Sequence, residues 1–137
     1  MNYKDAVKLA TKKHDGQYRD ITGKPYICHP LAVAEKFDDE NYKIVAILHD
    51  TIEDTDLTIS ELTENYGLKS ELAEALDAIT KIEGQTYIDF ILQVKKNRIA
   101  TAVKIEDINH NLSDIENDSL KEKYLIALYI LQNMSNY

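Results

Sequence analysis

Residues 44–54 read Ile44-Val45-Ala46-Ile47-Leu48-His49-Asp50-Thr51-Ile52-Glu53-Asp54. On a helical wheel, Ile44, Val45, Ile47, Leu48 and Ile52 cover one side. His49, Asp50, Glu53 and Asp54 cover the other, with small Ala46 among them. His49 and Glu53 are i,i+4 neighbours, as are Asp50 and Asp54. An ordinary solvated helix face mixes both signs of charge. Here three carboxylates and an imidazole crowd two turns, and like charges at this spacing oppose the helix unless something cationic sits among them. The stretch therefore reads in two ways, as a solvated polar face or as one wall of a site for a divalent cation.

Outward from this helix, which spans about residues 41–54, helical spacing continues in both directions. Tyr3, Ala6, Val7, Ala10 and His14 form a first helix to about His14. A loop with Gly16, Gly23 and Pro25 follows. Proline is favourable at the first helical position, so Pro30 puts His29 at a helix start. Thr58 with Glu61 makes a capping box for a fourth helix that ends near Gly67. A fifth runs to about Thr80. Thr86 with Asp89 caps a sixth after Gly84, a long helix covers about 98–113, and Ser119 with Glu122 caps the last. The stripe of that last helix is Leu120, Tyr124, Ala127, Leu128 and Leu131. Its end, with Ile130, Leu131, Met134 and Tyr137, is expected to pack in the core rather than at a dimer contact. No segment has the alternation of a strand. The expected fold is all-α, an irregular helical bundle in a single domain over 1–137.

Composition agrees. The chain has 137 residues, 44% of them hydrophobic, with only four Gly and two Pro. That is enough for one core and too little turn punctuation for an all-β fold. One cysteine, Cys28, cannot form an internal disulfide, and no apolar segment precedes the first helix or reaches the length of a membrane span. These features lead to the expectation of a cytoplasmic protein without a membrane partner. The net charge of −8 disfavours long nucleic acids. A small phosphorylated ligand needs only local positive charge, which a bound metal supplies.

In the long helix, Ala100, Val103 and Asp107 share one stripe, continued by Asn111, while Ile105, Ile108 and Leu112 form a second. An ionised Asp107 on a buried face is costly unless paired or coordinated. A salt bridge to a lysine or arginine is one solution and a metal the other. His49, Asp50, Asp107 and one further imidazole make a mixed N/O shell suited to Mn²⁺, Fe²⁺ or Zn²⁺. Among the remaining histidines, His29 is the best fourth ligand, because a helix-start position can aim its ring across the bundle. His14 reads as core or a loop anchor. His110 follows Asp107 by three but lies on a different side from Asn111.

Three blocks also resemble a family. His14-Asp-Gly-Gln17-Tyr-Arg19, then Gly23-Lys-Pro25-Tyr26-Ile-Cys-His29-Pro30, resembles the start of the hydrolase domain of RelA/SpoT-type alarmone enzymes. Ile47-Leu48-His49-Asp50-Thr51-Ile52-Glu53-Asp54-Thr55 resembles that domain's HD-plus-ED signature. Ala102-Val103-Lys104-Ile105-Glu106-Asp107-Ile108-Asn109-His110-Asn111-Leu112 resembles its late Asp-and-Asn motif. The resemblance implies a helical HD domain that hydrolyses a nucleotide's 3′-pyrophosphate with a single Mn²⁺, as in the stringent response. Carried over by position, His29, His49, Asp50 and Asp107 would be metal ligands, and Glu53 and Asp54 catalytic carboxylates. Arg19 and Asn111 would contact substrate, while Tyr26 would pack the loop.

Two departures stand out. Asp20 follows Arg19 where a basic residue is common, and the segment between Thr80 and Ile99 is shortened. Without synthetase and regulatory domains, the chain looks like a stand-alone small alarmone hydrolase. The leading expectation is a ppGpp 3′-pyrophosphohydrolase. The alternatives are an HD phosphohydrolase of another nucleotide or nicotinamide cofactor phosphate, and a non-catalytic nucleotide-binding module. The sequence leaves open the oligomeric state, the choice of base between Glu53 and Asp54, and the roles of Lys24, Lys104 and the Lys95, Lys96, Arg98 cluster.

Overall fold

The structure is a computed structural model that describes residues 1–19 and 22–133. Asp20, Met134 and Tyr137 lie outside the described residues. Among those described, eight helices follow one another: α1 Tyr3–Lys13, α2 Cys28–Ala34, α3 Glu40–Asp54, α4 Ile59–Tyr66, α5 Ser70–Ala78, α6 Tyr87–Lys95, α7 Arg98–Asp114 and α8 Asp118–Asn133. The only extended pairing among them is an isolated antiparallel bridge between Tyr18 and Pro25.

Local chemistry sets most of the helix ends. Asn2 and Asp5 form a reciprocal capping box on α1. Thr58 and Thr86 accept the backbone N–H groups of Glu61 and Asp89, as their spacing predicts. Gly67, at φ +67°, ends α4 in the left-handed conformation that costs glycine least. The last helix differs from expectation. Its cap is Asn117, whose Oδ1 accepts the Leu120 N–H at 3.0 Å. Ser119 already lies inside the first turn. Asn is as good a cap as Ser, and it comes two residues earlier.

The helices pack in a layered bundle with α3 and α7 at its centre. α3 touches α1, α2, α5 and α7, while α7 touches α2, α3, α5, α6 and α8. Ile44, Val45, Ala46, Ile47 and Leu48 are all buried, as are Ala100, Val103 and Ile108 of α7. A fully buried Leu or Ile side chain contributes about 1.5–3 kcal/mol by leaving water. These two helices therefore hold the molecule together. In α8, Ala127, Ile130 and Leu131 are buried, which bears out the core side of its stripe. No helix among the described residues is long and apolar enough to cross a membrane.

Candidate metal centre

Crossing at the middle of the bundle, α2, α3 and α7 bring four of the expected residues together. His29, His49, Asp50 and Asp107 are all buried, at 1%, 2%, 8% and 3% exposure. The α3 wheel thus has no fully solvated side. Its two outermost acids, Glu53 and Asp54, are exposed, whereas His49 and Asp50 one turn earlier face the interior.

Ligand atoms of His29, Asp50 and Asp107 all lie within 4.8 Å of one another. His29 Nε2 is 2.7 Å from Asp107 Oδ1 and 3.6 Å from Asp50 Oδ2. His49 Nε2 joins them, 3.2 Å from Asp50 Oδ1 and 3.5 Å from Asp107 Oδ1, with neither contact aligned as a hydrogen bond. Both His49 Nε2 and Asp50 Oδ2 are buried without a hydrogen-bond partner. Leaving such atoms bare costs about 1–3 kcal/mol each, so they call for a partner. On the far side of the ring, His49 Nδ1–H donates to the Ala46 carbonyl at 2.7 Å. In the neutral ring that bond leaves the Nε2 lone pair free, the state a metal requires. Two imidazoles, two carboxylates and two unsatisfied donor atoms fit a divalent cation.

Charge around the cluster is balanced from one side. Lys104, one turn before Asp107, donates to its outer oxygen Oδ2 at 2.9 Å. Burial pushes the Asp107 carboxyl up. The Lys104 ammonium, the hydrogen bond from His29 and the nearby His49 ring outweigh that and hold it well below the usual carboxylate range. Burial also opposes the charge on Lys104, but Asp107 more than restores it, so the ammonium persists. The salt bridge foreseen for Asp107 thus forms at Oδ2, while Oδ1 faces the cluster of candidate ligands.

Glu53 and Asp54 are the last two residues of α3, exposed beside the cluster. Glu53 Oε1 accepts the Lys81 N–H at 3.2 Å, which ties it to the α5–α6 loop. Partial burial raises the pKa of both carboxyls, and for Asp54 the Asp50 carboxylate adds to the rise. Tyr26 packs its ring on His14 and His29, at centroid distances of 5.0 and 6.1 Å. Burial, then the Asp50 and Asp54 carboxylates, push its hydroxyl's pKa up. Tyr26 therefore sits against the cluster as well as bracing the loop.

Arg19 and Asn111 also meet. Arg19 Nη2 donates to Asn111 Oδ1 at 3.0 Å and to Asp114 at 3.3 Å. Its loop is clasped by Arg19 N–H to Lys24 O at 2.9 Å and Tyr26 N–H to Gln17 O at 2.8 Å. His14 anchors that loop, its Nδ1–H donating to Gln17 Oε1 at 2.9 Å while Thr51 Oγ1 lies 3.1 Å from its Nε2. The Lys24 side chain is exposed.

Of the basic cluster, Lys95 donates to the Leu131 carbonyl at 3.2 Å, and Arg98 opens α7. Nine residues of helix separate Arg98 from Asp107, about 13 Å at 1.5 Å per residue, so it lies outside the cluster. The contact least visible in the sequence is His110. Its Nδ1 lies 2.7 Å from Nδ1 of His29. The i,i+3 spacing from Asp107 was the available signal, although nothing in it pointed to a partner on α2.

A family model described as "HD domain" matches residues 6–118. A GTP pyrophosphokinase of Myxococcus xanthus is 33% identical over 90% of this chain, and the match covers 18% of that protein. A guanosine-3′,5′-bis(diphosphate) 3′-pyrophosphohydrolase of Aquifex aeolicus is 34% identical over 80% of this chain and 17% of its own length. The chain thus spans less than a fifth of these relatives. A solved structure, described as a metazoan ortholog of SpoT that hydrolyzes ppGpp, superposes with a TM-score of 0.76 over 98% of this chain and 86% of that one. At 19% identity, that likeness shows a shared fold. With the fold matched and the family model spanning α1 to the start of α8, the chain belongs to the HD domain family.

Proposed function

We propose that this chain is a divalent-metal-dependent phosphohydrolase that removes the 3′-pyrophosphate of ppGpp. The observation that carries the reading is the buried cluster of His29, His49, Asp50 and Asp107 with two donor atoms left unsatisfied. The substrate rests on the names of relatives such as the Aquifex aeolicus hydrolase. These four residues hold the cation. Mn²⁺ is the choice of the family resemblance, and Fe²⁺ and Zn²⁺ suit the same donors. When bound, the cation neutralises phosphoryl charge and lowers the pKa of a water.

The chain's own groups do the rest. Glu53 or Asp54 takes a proton from the attacking water, and a raised carboxyl pKa makes either a better base near neutral pH. The water oxygen bonds to phosphorus as the bond to the 3′ oxygen breaks. That oxygen takes up a proton, leaving GDP and pyrophosphate. Arg19, held in place by Asn111 and Asp114, offers its guanidinium to the nucleotide, with the Asn111 amide beside it. In this reading the protein acts on a small cytoplasmic nucleotide of the stringent response.

The test is a nucleotide panel of ppGpp, GTP and NADPH incubated with Mn²⁺ and resolved by chromatography. GDP and pyrophosphate from ppGpp are expected. No product from ppGpp with the metal-loaded protein sinks the substrate assignment. Glu53→Gln is expected to keep the metal and lose turnover by about 10²–10⁴-fold. Normal turnover would reject Glu53 as the base and leave Asp54.

A further inference from the structure

The donor set leaves one contact unexplained, the part-buried imidazole pair of His29 and His110. His29 is the second residue of α2 and 1% exposed. Its Nε2 faces Asp107 and Asp50, and its Nδ1 lies 2.7 Å from Nδ1 of His110. The two rings are 4.8 Å apart and tilted by 33°. At that separation one nitrogen donates and the other accepts. If Nε2 of His29 gives its lone pair to a cation, the proton of the neutral ring sits on Nδ1. His110 Nδ1 is then the acceptor, with its own proton on Nε2. The usual acceptor behind a ligating histidine is a carboxylate, a backbone carbonyl or water. His49 follows that pattern, donating to the Ala46 carbonyl. His29 cannot, because its Nδ1 points away from α2 toward α7. There, three residues after Asp107, stands His110.

We propose that His110 is a positioning residue that accepts the Nδ1 proton of His29 and so fixes its tautomer and ring plane as a metal ligand. The inference rests on reading the cluster as a metal centre. The geometry makes α7 supply both a ligand, Asp107, and the brace for a second ligand on another helix. It also limits the cost of altering the brace. His110 is only part-buried and borders an open cavity of about 360 Å³, lined in part by Ala32, Lys36, Glu106 and Ser113. A side chain of similar size can be substituted there without emptying the core.

The test measures Zn²⁺ dissociation constants by chelator competition, with no substrate present. His110→Phe keeps the ring and removes the acceptor. It is expected to weaken Zn²⁺ binding about 10- to 100-fold with unchanged helical circular dichroism. His110→Gln keeps an acceptor oxygen and is expected to stay within about threefold of the unaltered chain. Nitrogen-15 NMR of the unaltered Zn²⁺-loaded chain needs no variant, and should show the His29 proton on Nδ1.

Full-strength binding by His110→Phe overturns the proposal, as does a His29 bound through Nδ1. If the unaltered chain takes up no Zn²⁺ or Mn²⁺, the metal centre itself falls, and the proposal with it. Those two failures are distinguishable in the same titration.

Discussion

Asp107 carries two demands at once, and its two oxygens divide them. Oδ1 belongs to the cluster and Oδ2 to Lys104. Removing one member of a buried ion pair strands the other charge at a cost of about 3–5 kcal/mol. Asp107→Asn should therefore destabilise the metal-free chain by about 3 kcal/mol in urea unfolding. Adding Lys104→Met should recover most of that loss while leaving metal uptake absent. A fully stable Asp107→Asn would mean that Lys104 draws nothing from the pair.

His49 gives a pH prediction. Burial pulls its imidazole pKa down, but Asp50 and Asp107 outweigh burial and hold it at about 9, against an ordinary 6.5. The folded state thus favours the protonated ring. The stability this contributes to the metal-free chain is fully present below pH 6.5 and is lost as pH rises through about 9. A cation needs the neutral ring, so loading at pH 7 displaces about one proton from His49. Titration calorimetry in buffers of different ionisation enthalpy reads that proton directly. Metal uptake at pH 7 with no buffer dependence would contradict it.

At the scale of elements, short-range signals did most of the work. The Thr58 and Thr86 caps, the Gly67 stop and the helix start near His29 were legible, because each depends on residues within one turn. The start of α8 was misread, since Ser119 with Glu122 and Asn117 offer competing caps two residues apart, and the chain uses Asn117. Asn117→Ala should cost about 1 kcal/mol in thermal unfolding, while Ser119→Ala should stay within about 0.5 kcal/mol. Equal losses would restore Ser119 as a partner in the cap. α3 shows the limit of a wheel. Its polar side was visible, but not that α2 and α7 cover the His49–Asp50 part of it and leave Glu53 and Asp54 exposed.

For the whole molecule, the cluster joins α7 to α2 and α3, which lie far from it in the chain. His29 and Asp107 are 78 residues apart, His29 and His110 81, and Arg19 and Asn111 92. A ligand that binds only this assembled arrangement stabilises the fold by mass action, by about 2.7 kcal/mol at a hundredfold excess over its dissociation constant. Mn²⁺ should therefore raise the melting temperature by several degrees, and a chelator should reverse the shift. Asp50→Asn should abolish it. A melting temperature indifferent to Mn²⁺ would argue against a site shared by α2, α3 and α7.

The sequence by itself determined the helical class and most helix boundaries, because caps and apolar spacing act within a turn or two, and it put forward His29, His49, Asp50 and Asp107 as candidate ligands. It also marked Asp107 as a carboxylate on an apolar stripe that needed a partner. Only the tertiary structure decided which partner. It set Lys104 on one oxygen of Asp107 and His29 on the other, turned His110 onto His29, and buried His49 and Asp50 with atoms unsatisfied. Those outcomes depend on which helix faces cross, and burial is a property of the packed bundle rather than of any one turn.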